Sequence, residues 1–225
     1  MPLSKPVLHR DDPEAEPLIG NIKVTKDDWL NVAMDVLITD GVEQVKVLAL
    51  AERMAVSRSS FYWYFKSRQD LLDALLKQWE ETNTAAMVSM AETEATTITA
   101  AICNVFRCTA NPKLFNTALD FAVRDWARRS GPVRSLLDRS DERRVQALAQ
   151  MFERYGYDMT DADIRAKVLY YMQLGYDLAQ LNEPDERRIA AVPGYIRVFT
   201  GRDPQPGEVE EFRKYAMAYW STLPG

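Results

Sequence analysis

The chain has 225 residues, of which 47% are hydrophobic and 27% charged, enough for one large domain or for a small domain joined to a larger one. No stretch approaches the roughly 18 unbroken apolar residues of a membrane span, and the first twenty residues lack the apolar core of a secretory signal, so we expect a cytoplasmic protein without a membrane partner. The formal net charge of -5 does not exclude binding to nucleic acid, because affinity depends on where the basic groups lie.

The N-terminal segment, residues 1–21, is rich in proline and acidic residues and has no hydrophobic periodicity, which predicts a flexible arm. It contains His9, the single histidine, so the rest of the chain has no imidazole for acid–base or nucleophilic catalysis. Cys103 and Cys108 have no companions at metal-ligand spacing, and we expect packed free thiols. The sequence also lacks a glycine-rich phosphate loop. These features argue against an enzyme and against a metal or other cofactor.

Two short helices are predicted after the arm. The hydroxyl of Thr25 can cap the first helix, and Asp27 and Asp28 suit its positive first turn. This helix ends at Gly41, because glycine accepts the left-handed conformation that closes a helix. The second helix has inward residues at the spacing i, i+3, i+4, i+7, which are Val47, Leu50, Ala51 and Met54.

A third helix is predicted from Ser57, which we expect to cap it after a tight turn at Ala55-Val56. Phe61 and Phe65 point toward the core of this small domain. Trp63 is expected to be partly buried against the first helix. The helix therefore exposes mainly polar and basic groups.

A fourth, longer helix begins at Ser67, which makes a capping-box-like start with Asp70, and it continues toward Met90. Beyond about residue 85 the pattern changes to six longer helices with wide apolar faces, separated by proline, glycine and capping residues. Their predicted ranges are 95–109, 113–130, 132–155, 161–182, 185–199 and 207–222. Because no run of alternating apolar and polar residues with β-branched enrichment occurs, we predict an all-α protein.

The segment from Ala51 to Leu72 reads AERMAVSRSSFYWYFKSRQDLL and strongly resembles the DNA-binding motif of the TetR family. Its most specific element is the aromatic run from Phe61 to Phe65, followed by Lys66-Ser67. The resemblance covers about residues 22–82 and implies a helix-turn-helix whose third helix enters the major groove. It implies three parts, namely a flexible N-terminal arm (1–21), a TetR-type DNA-binding domain (22–82) and a larger helical effector-binding and dimerisation domain (83–225).

The resemblance also implies which side chains contact DNA. Between Arg53 and Arg68 the chain has four basic residues and no acidic one. Arg58 is the best candidate for reading a base, since a guanidinium can donate two hydrogen bonds to guanine. Thr25 and Arg68 should position the domain rather than specify sequence. The full predicted set comprises Thr25, Lys46, Arg58, Ser59, Ser60, Tyr62, Tyr64, Lys66 and Arg68.

One departure from the family pattern concerns the start of the second helix. The family usually has a serine or threonine there, whose hydroxyl caps the helix and contacts phosphate, whereas this chain has Lys46. The phosphate contact can persist as an ionic one, but the hydroxyl cap cannot. We therefore expect the start of this helix to be looser, or displaced toward Glu43.

The C-terminal two thirds of the sequence predict a helical architecture but contain no motif that identifies a specific chemistry. The segment 168–179 and the last helix carry wide apolar faces, and the resemblance implies that they pair with their symmetry mates in a four-helix bundle, where Gly175 permits close approach. Large side chains on central helices predict a ligand pocket lined by Phe106, Phe115, Phe121, Arg124, Trp126, Tyr171 and Met172. The alternative is that these residues form an ordinary core, with Arg124 solvated beside Asp125 and Arg128.

The sequence thus predicts a homodimeric, sequence-specific regulator of transcription that binds a (pseudo)palindromic operator in double-stranded DNA. The resemblance implies a repressor, and the aromatic pocket implies that a small, largely apolar effector releases it from the operator. The alternative is a DNA-binding regulator without a small-molecule ligand, which is constitutive or controlled by a protein partner.

Overall fold

The computed structural model describes residues 6–16, 23–179, 181 and 183–220. Its α-helices are α1 (Lys26–Asp40), α2 (Val47–Arg53), α3 (Arg68–Trp79), α4 (Ala85–Glu92), α5 (Ile98–Ala110), α6 (Thr117–Ala127), α7 (Gly131–Arg154), α8 (Met159–Ala179), α9 (Asp185–Thr200) and α10 (Glu208–Trp220). Short 3₁₀ segments span His9–Asp11, Val42–Gln44 and Arg58–Trp63, and a π-helical turn, Glu80–Thr84, joins α3 to α4. The described residues contain no strand, so the predicted all-α class is confirmed. None of their helices is long and apolar enough to cross a bilayer.

The helices of the N-terminal domain form around an aromatic core. Thr25 caps α1 as predicted, because the Asp28 N–H donates to Thr25 Oγ1 at 3.1 Å and the Thr25 N–H donates to Asp28 Oδ2 at 2.7 Å. The ring of Phe61 meets Trp29 edge-on at 5.2 Å and stacks on Phe65 at 5.4 Å, with all three side chains buried. This packing fixes the segment that follows α2.

Part of the predicted flexible arm lies against this domain. Leu8 is buried in the core, the His9 N–H donates to Asp28 Oδ1 at 2.7 Å, and Arg10 Nη2 donates to the Met54 carbonyl at 2.9 Å. Residues 6–16 therefore differ from the expected arm, because Leu8 gains burial and Arg10 satisfies a carbonyl at the end of α2. Residues 1–5 and 17–21 of the expected arm lie outside the described residues.

The N-terminal core continues beyond residue 82. Leu119, Val123 and Trp126 of α6, with Val133 and Leu137 of α7, belong to the same buried cluster as α1 to α3. Packing is thus continuous across the domain division predicted at residue 82, and α6 joins the two parts of the chain.

The predicted continuation of the fourth helix is present as α3, the π-helical turn and α4, which together we term the connecting rod (residues 68–92). Asn83 and Thr84 in the turn are buried. Asn83 Nδ2 donates to the Asn116 carbonyl at 2.9 Å, and the Asn116 N–H donates to Asn83 Oδ1 at 3.1 Å. Since Asn116 also caps α6, the turn is fixed to the start of that helix.

The C-terminal core surrounds α5. Phe106 of α5 lies 5.8 Å from Phe212 of α10 and 6.4 Å from Phe199 of α9. Cys103 and Cys108 are buried free thiols, as expected, and burial raises the pKa of each to about 12. Both thiols are therefore protonated and unreactive at neutral pH.

The outer faces of the last three helices differ from the expected pattern. Apolar side chains of α8 are exposed at Ile164, Val168, Tyr171 and Leu178, and Val198 is exposed on α9. In α10 the residues Phe212 and Ala216 are buried against the domain, whereas the exposed positions are largely charged. The apolar stripe of α10 that was expected to form a bundle face packs on α5 within the same chain, so the exposed apolar face lies mainly on α8.

Candidate nucleic-acid interface and effector cavities

A tight turn positions the segment that follows α2. Ala55 adopts a left-handed conformation with φ of 53°, and the Val56 N–H closes the end of the helix by donating to the Ala51 carbonyl at 3.0 Å. The chain then enters the 3₁₀ helix Arg58–Trp63, which we term the reading segment.

The prediction that Ser57 caps an α-helix is wrong. The amide that its hydroxyl would cap, the Ser60 N–H, donates instead to the Ser57 carbonyl at 3.1 Å, as the tighter 3₁₀ geometry requires. The Ser57 hydroxyl lies 2.7 Å from that of Ser59, and the Ser60 hydroxyl donates to the Ser57 carbonyl at 2.8 Å. The three serines thus form a compact polar start to the reading segment.

The outer face of the reading segment combines a cation with two aromatic rings. Arg58 is exposed, its Nη2 donates to the Tyr62 hydroxyl at 3.1 Å, and its guanidinium lies 5.8 Å from the Tyr62 ring centroid. Tyr62 is 50% exposed and Trp63 is 67% exposed. The expected burial of Trp63 is therefore wrong, because Phe61 and Phe65 already fill the space against α1.

Two residues of the predicted DNA-contact set make hydrogen bonds within the domain. The Tyr64 hydroxyl donates to the Val24 carbonyl at 2.8 Å. Arg68 donates from Nε to the Val45 carbonyl and from Nη2 to the Val42 carbonyl, both at 2.6 Å. These bonds fix the reading segment relative to the chain before α1 and the loop before α2.

Lys46 and Lys66 are exposed on either side of the reading segment. Helix α2 begins at Val47, directly after Lys46, so the expected displacement toward Glu43 is not found. Lys46 Nζ donates to Gln44 Oε1 at 3.3 Å, which leaves its other protons directed outward. The surface thus presents Lys46, Arg58 and Lys66 around exposed hydroxyl and aromatic groups.

The seven predicted ligand residues divide among several environments. Phe106 and Met172 line a cleft between α5, α8, α9 and α10. Phe115 and Phe121 line a smaller inner cavity of about 20 Å³, which also reaches Asp120 and Asp177. The remaining three lie elsewhere: Trp126 is in the N-terminal core, Tyr171 is 53% exposed on the outside of α8, and Arg124 belongs to a buried ionic cluster.

This ionic cluster lies where the connecting rod meets α6, α7 and α8, and we term it the junction cluster. Asp120 accepts hydrogen bonds from Trp79 Nε1 and Arg124 Nε, each at 2.9 Å, and lies 3.0 Å from Arg144 Nη1. Arg124 also makes a bidentate pair with Asp141 at 2.9 and 2.7 Å. The expectation of a solvated Arg124 is therefore wrong, since two carboxylates from α6 and α7 neutralise it.

Hydroxyl groups complete the junction cluster. Tyr170 donates to Asp141 Oδ1 at 2.7 Å and accepts from Arg124 Nη2 at 2.8 Å. The fully buried Arg144 donates from Nη2 to Thr84 Oγ1 at 2.9 Å, which fixes the π-helical turn to α7. Burial alone would raise the pKa of Asp120, but the two guanidinium groups and the Trp79 indole outweigh it and lower the pKa.

A helix-turn-helix with an exposed basic reading segment, joined by a helical rod to a larger helical domain, defines a DNA-binding regulator. Residues 30–75 match the family model of bacterial regulatory proteins of the tetR family. The N-terminal part of the chain thus carries a DNA-binding domain of the TetR type, and the chain is similar in this part to bacterial regulators of that family. Regulators of this family are DNA-binding proteins rather than enzymes.

Solved structures share this fold over most of the chain. AmtR of Mycobacterium smegmatis superposes with a TM-score of 0.56 at 16% identity, covering 93% of this chain and 100% of AmtR. The fatty acid degradation regulator FadR from Bacillus halodurans gives 0.55 at 16% identity, covering 80% of this chain and 97% of FadR. GusR of Salmonella enterica gives 0.54 at 14% identity, covering 87% and 95%. No curated protein matches the chain in sequence.

Proposed function

We propose that this regulator is a dimeric repressor that binds a (pseudo)palindromic operator and leaves it when a small molecule binds the C-terminal domain. The observation that carries the proposal is the connecting rod, whose α3 packs in the DNA-binding core and whose α4 packs in the core that contains the cavities. A ligand that tilts this rod changes the position of the reading segment. Residues 22–82 then act as the DNA-binding domain and residues 83–225 as the effector-binding and dimerisation domain.

The proposed DNA contacts follow from exposure and from existing bonds. Arg58 reads a base, with Ser59, Ser60 and Tyr62 at neighbouring base edges or phosphates, and Lys46 and Lys66 contact phosphates. The remaining members of the predicted set, Thr25, Tyr64 and Arg68, already have intramolecular partners and act by positioning the domain.

These roles are separable by experiment. Selection of bound duplexes from a random library should yield an operator with two-fold symmetry and half-sites about one DNA turn, roughly 34 Å, or more apart. Arg58→Ala should cost about 1 to 3 kcal/mol at one position of each half-site, whereas Lys66→Ala should weaken all sequences alike and lower the salt slope by about one unit per phosphate lost. If both variants bound every duplex as the wild type does, the assignment of the reading segment would be wrong.

For the dimer we propose the apolar face of α8 together with α9. Ile164, Val168, Tyr171 and Leu178 recur at the spacing of one helix face, and a two-fold axis would bury this face against its own copy. Val168→Glu should shift the protein toward monomer in sedimentation equilibrium at micromolar concentration. Leu48→Glu is the matched control, because Leu48 is similarly exposed on α2 and should leave the assembly unchanged. A wild-type monomer at that concentration would contradict the proposed assembly.

The ligand step is tested by titrating the selected operator complex with candidate compounds. A ligand that releases the protein must bind the free protein more tightly than the operator complex, and a hundredfold effect requires about 2.7 kcal/mol of differential affinity. Equal affinity for both states would exclude that compound as an inducer. A regulator that is constitutive or controlled by a protein partner would retain its operator in all such titrations.

A further inference from the structure

The cleft between α5, α8, α9 and α10 is partly open to solvent and has a cavity volume of about 70 Å³. Its walls include the aromatic side chains Phe106, Phe212 and Trp220, so most of a bound molecule would meet apolar surface.

A carboxylate lies within this apolar cleft. Asp177 of α8 lines both the cleft and the inner cavity, and its Oδ1 accepts a hydrogen bond from Gln173 Nε2 at 2.9 Å. Among the described residues, no lysine or arginine nitrogen lies within salt-bridge distance of Asp177. An ionised carboxylate without a cationic partner is unfavourable in such surroundings.

Arg188 also lines the cleft, but its guanidinium contacts groups other than Asp177. The guanidinium of Arg188 lies 4.0 Å from the Trp220 ring centroid, and its Nη1 lies 3.9 Å from Asp185 Oδ1. Arg188 therefore attenuates the charge of Asp177 without pairing with it.

The junction cluster does not neutralise Asp177 either. Its guanidinium groups, Arg124 and Arg144, are bound to Asp120, Asp141 and hydroxyl groups. Burial raises the pKa of Asp177 to about 6, with the charge of Asp120 adding to the rise and Gln173 and Arg188 opposing it. At neutral pH the carboxyl is ionised, and none of the described lysine or arginine residues forms an ion pair with it.

We propose that the cleft binds an organic cation, whose ammonium group pairs with Asp177 and whose apolar body packs against Phe106, Phe212 and Trp220. This inference names the chemical class of the effector and so rests on the proposed function for its effect on DNA, but not for binding itself. An ammonium donor satisfies the free carboxylate oxygen, and the aromatic walls add cation–π attraction.

The test compares three probes that differ only in their head group, namely phenylbutylamine, phenylbutanol and phenylpentanoate. Calorimetric titration of the full chain without DNA, at a pH of about 7.5, should give the amine an affinity about tenfold higher than the alcohol, as expected for a charge-assisted bond, with the carboxylate weakest. Equal affinities, or tightest binding of phenylpentanoate, would overturn the proposal.

Two substitutions of Asp177 test whether this residue causes the preference for the amine over the alcohol. Asp177→Asn should abolish the advantage of the amine over the alcohol, whereas Asp177→Glu should keep part of it. Asp163→Asn is the matched control, since Asp163 lies on the same helix outside the cleft and pairs with Lys167. An amine preference that survives in Asp177→Asn would contradict the assignment.

Acidification supplies a test that needs no variant. Lowering the pH of the wild type from about 7.5 to about 5 should remove most of the preference, because the carboxyl takes up its proton as the pH falls through about 6. The other charged and titratable groups facing it are Arg188 of α9, Asp120 of α6 and Tyr176 of α8. The pKa of Asp120 is lowered and that of Tyr176 is raised from its ordinary value near 10, so neither of these two groups titrates in this interval. A preference unchanged at about pH 5 would overturn the proposal.

Operator binding is then measured separately. Asp177→Asn should bind the selected operator as the wild type does, because Asp177 lies in the C-terminal domain. If the amine binds through Asp177 but leaves the operator complex intact, the ligand class stands and release by ligand fails. If an anionic or neutral compound releases the protein from DNA while the amine does not bind, the proposed function stands and the ligand class fails.

Discussion

Asp120 and Asp177 both border the inner cavity, yet their electrostatic surroundings are opposite. Asp120 has two guanidinium groups and an indole N–H within bonding distance, and its pKa is lowered. Asp177 has one amide donor, and its pKa is raised to about 6. Buried charges that are fully paired stabilise a defined arrangement of helices, whereas an unpaired one lowers stability unless a ligand completes it. The comparison separates a structural cluster from a binding site within one domain.

The largest loss of folding stability is expected from a substitution in the junction cluster, where the buried charges are fully paired. Arg144→Met should lower the free energy of unfolding by about 3 to 5 kcal/mol, because it leaves Asp120 buried with one guanidinium fewer and removes the partner of Thr84. Urea unfolding at one fixed protein concentration measures this. Arg143→Met, at the exposed neighbour, should change the value by less than about 0.5 kcal/mol. Equal effects of the two substitutions would show that the junction cluster does not contribute to stability.

An intermediate effect is expected from the hydroxyl that bridges the cluster. Tyr170→Phe should lower the free energy of unfolding by about 1 to 3 kcal/mol, since Asp141 loses a donor and two guanidinium groups lose an acceptor in a buried site. Tyr62→Phe removes a hydroxyl from an exposed ring and serves as the control in the same unfolding assay. A loss no greater than that of the control would mean that the cluster is satisfied without Tyr170.

The smallest change in folding stability is expected from Asp177→Asn, which should stabilise the protein and whose effect should depend on pH. The native pKa of Asp177, about 6, lies above the value of about 4 in an unfolded chain, so its favourable contribution is complete below about pH 4 and is lost as the pH rises through about 6. Asp177→Asn should therefore stabilise the ligand-free protein by about 1 kcal/mol at pH 8 and have little effect at pH 4. Thermal unfolding at the two pH values measures the difference. Destabilisation at pH 8 would indicate that Asp177 already has a cationic partner.

Structural features that depend only on residues close together in the sequence were predictable from it. The Thr25 cap, the inward pair Phe61 and Phe65, and the helical punctuation depend on residues within a few positions of one another. The exposure of Trp63 was not predictable in this way, because the place against α1 is taken by the rings of Phe61 and Phe65. The same applies to α10, whose apolar stripe was visible while its partner, α5, was not.

The candidate site shows the same division. The pairing of Arg124 depends on Asp141, which comes from another helix, so spacing along α6 could not reveal it. A usable signal existed for Asp177. Gln173 and Asp177 follow Ala166 and Tyr170 on the inward face of α8, and polar residues at inward positions indicate either a buried network or a site. In α8 both occur in succession, since Tyr170 belongs to the buried junction cluster and Gln173 and Asp177 line the cleft.

The π-helical turn has a consequence for the register of the connecting rod. A π-helical turn holds one residue more than an α-helical turn, and each residue of an α-helix rotates the chain by about 100°. Deleting the exposed Glu81 would convert the rod to regular α-helix while the faces of α3 and α4 kept their present directions. A single deletion elsewhere in the rod would turn one face away from its core. The connecting rod thus contains one residue more than a regular α-helix would need at the boundary between the N-terminal and C-terminal cores, and the hydrogen bonds of Asn83 and Thr84 fix the position of this extra residue.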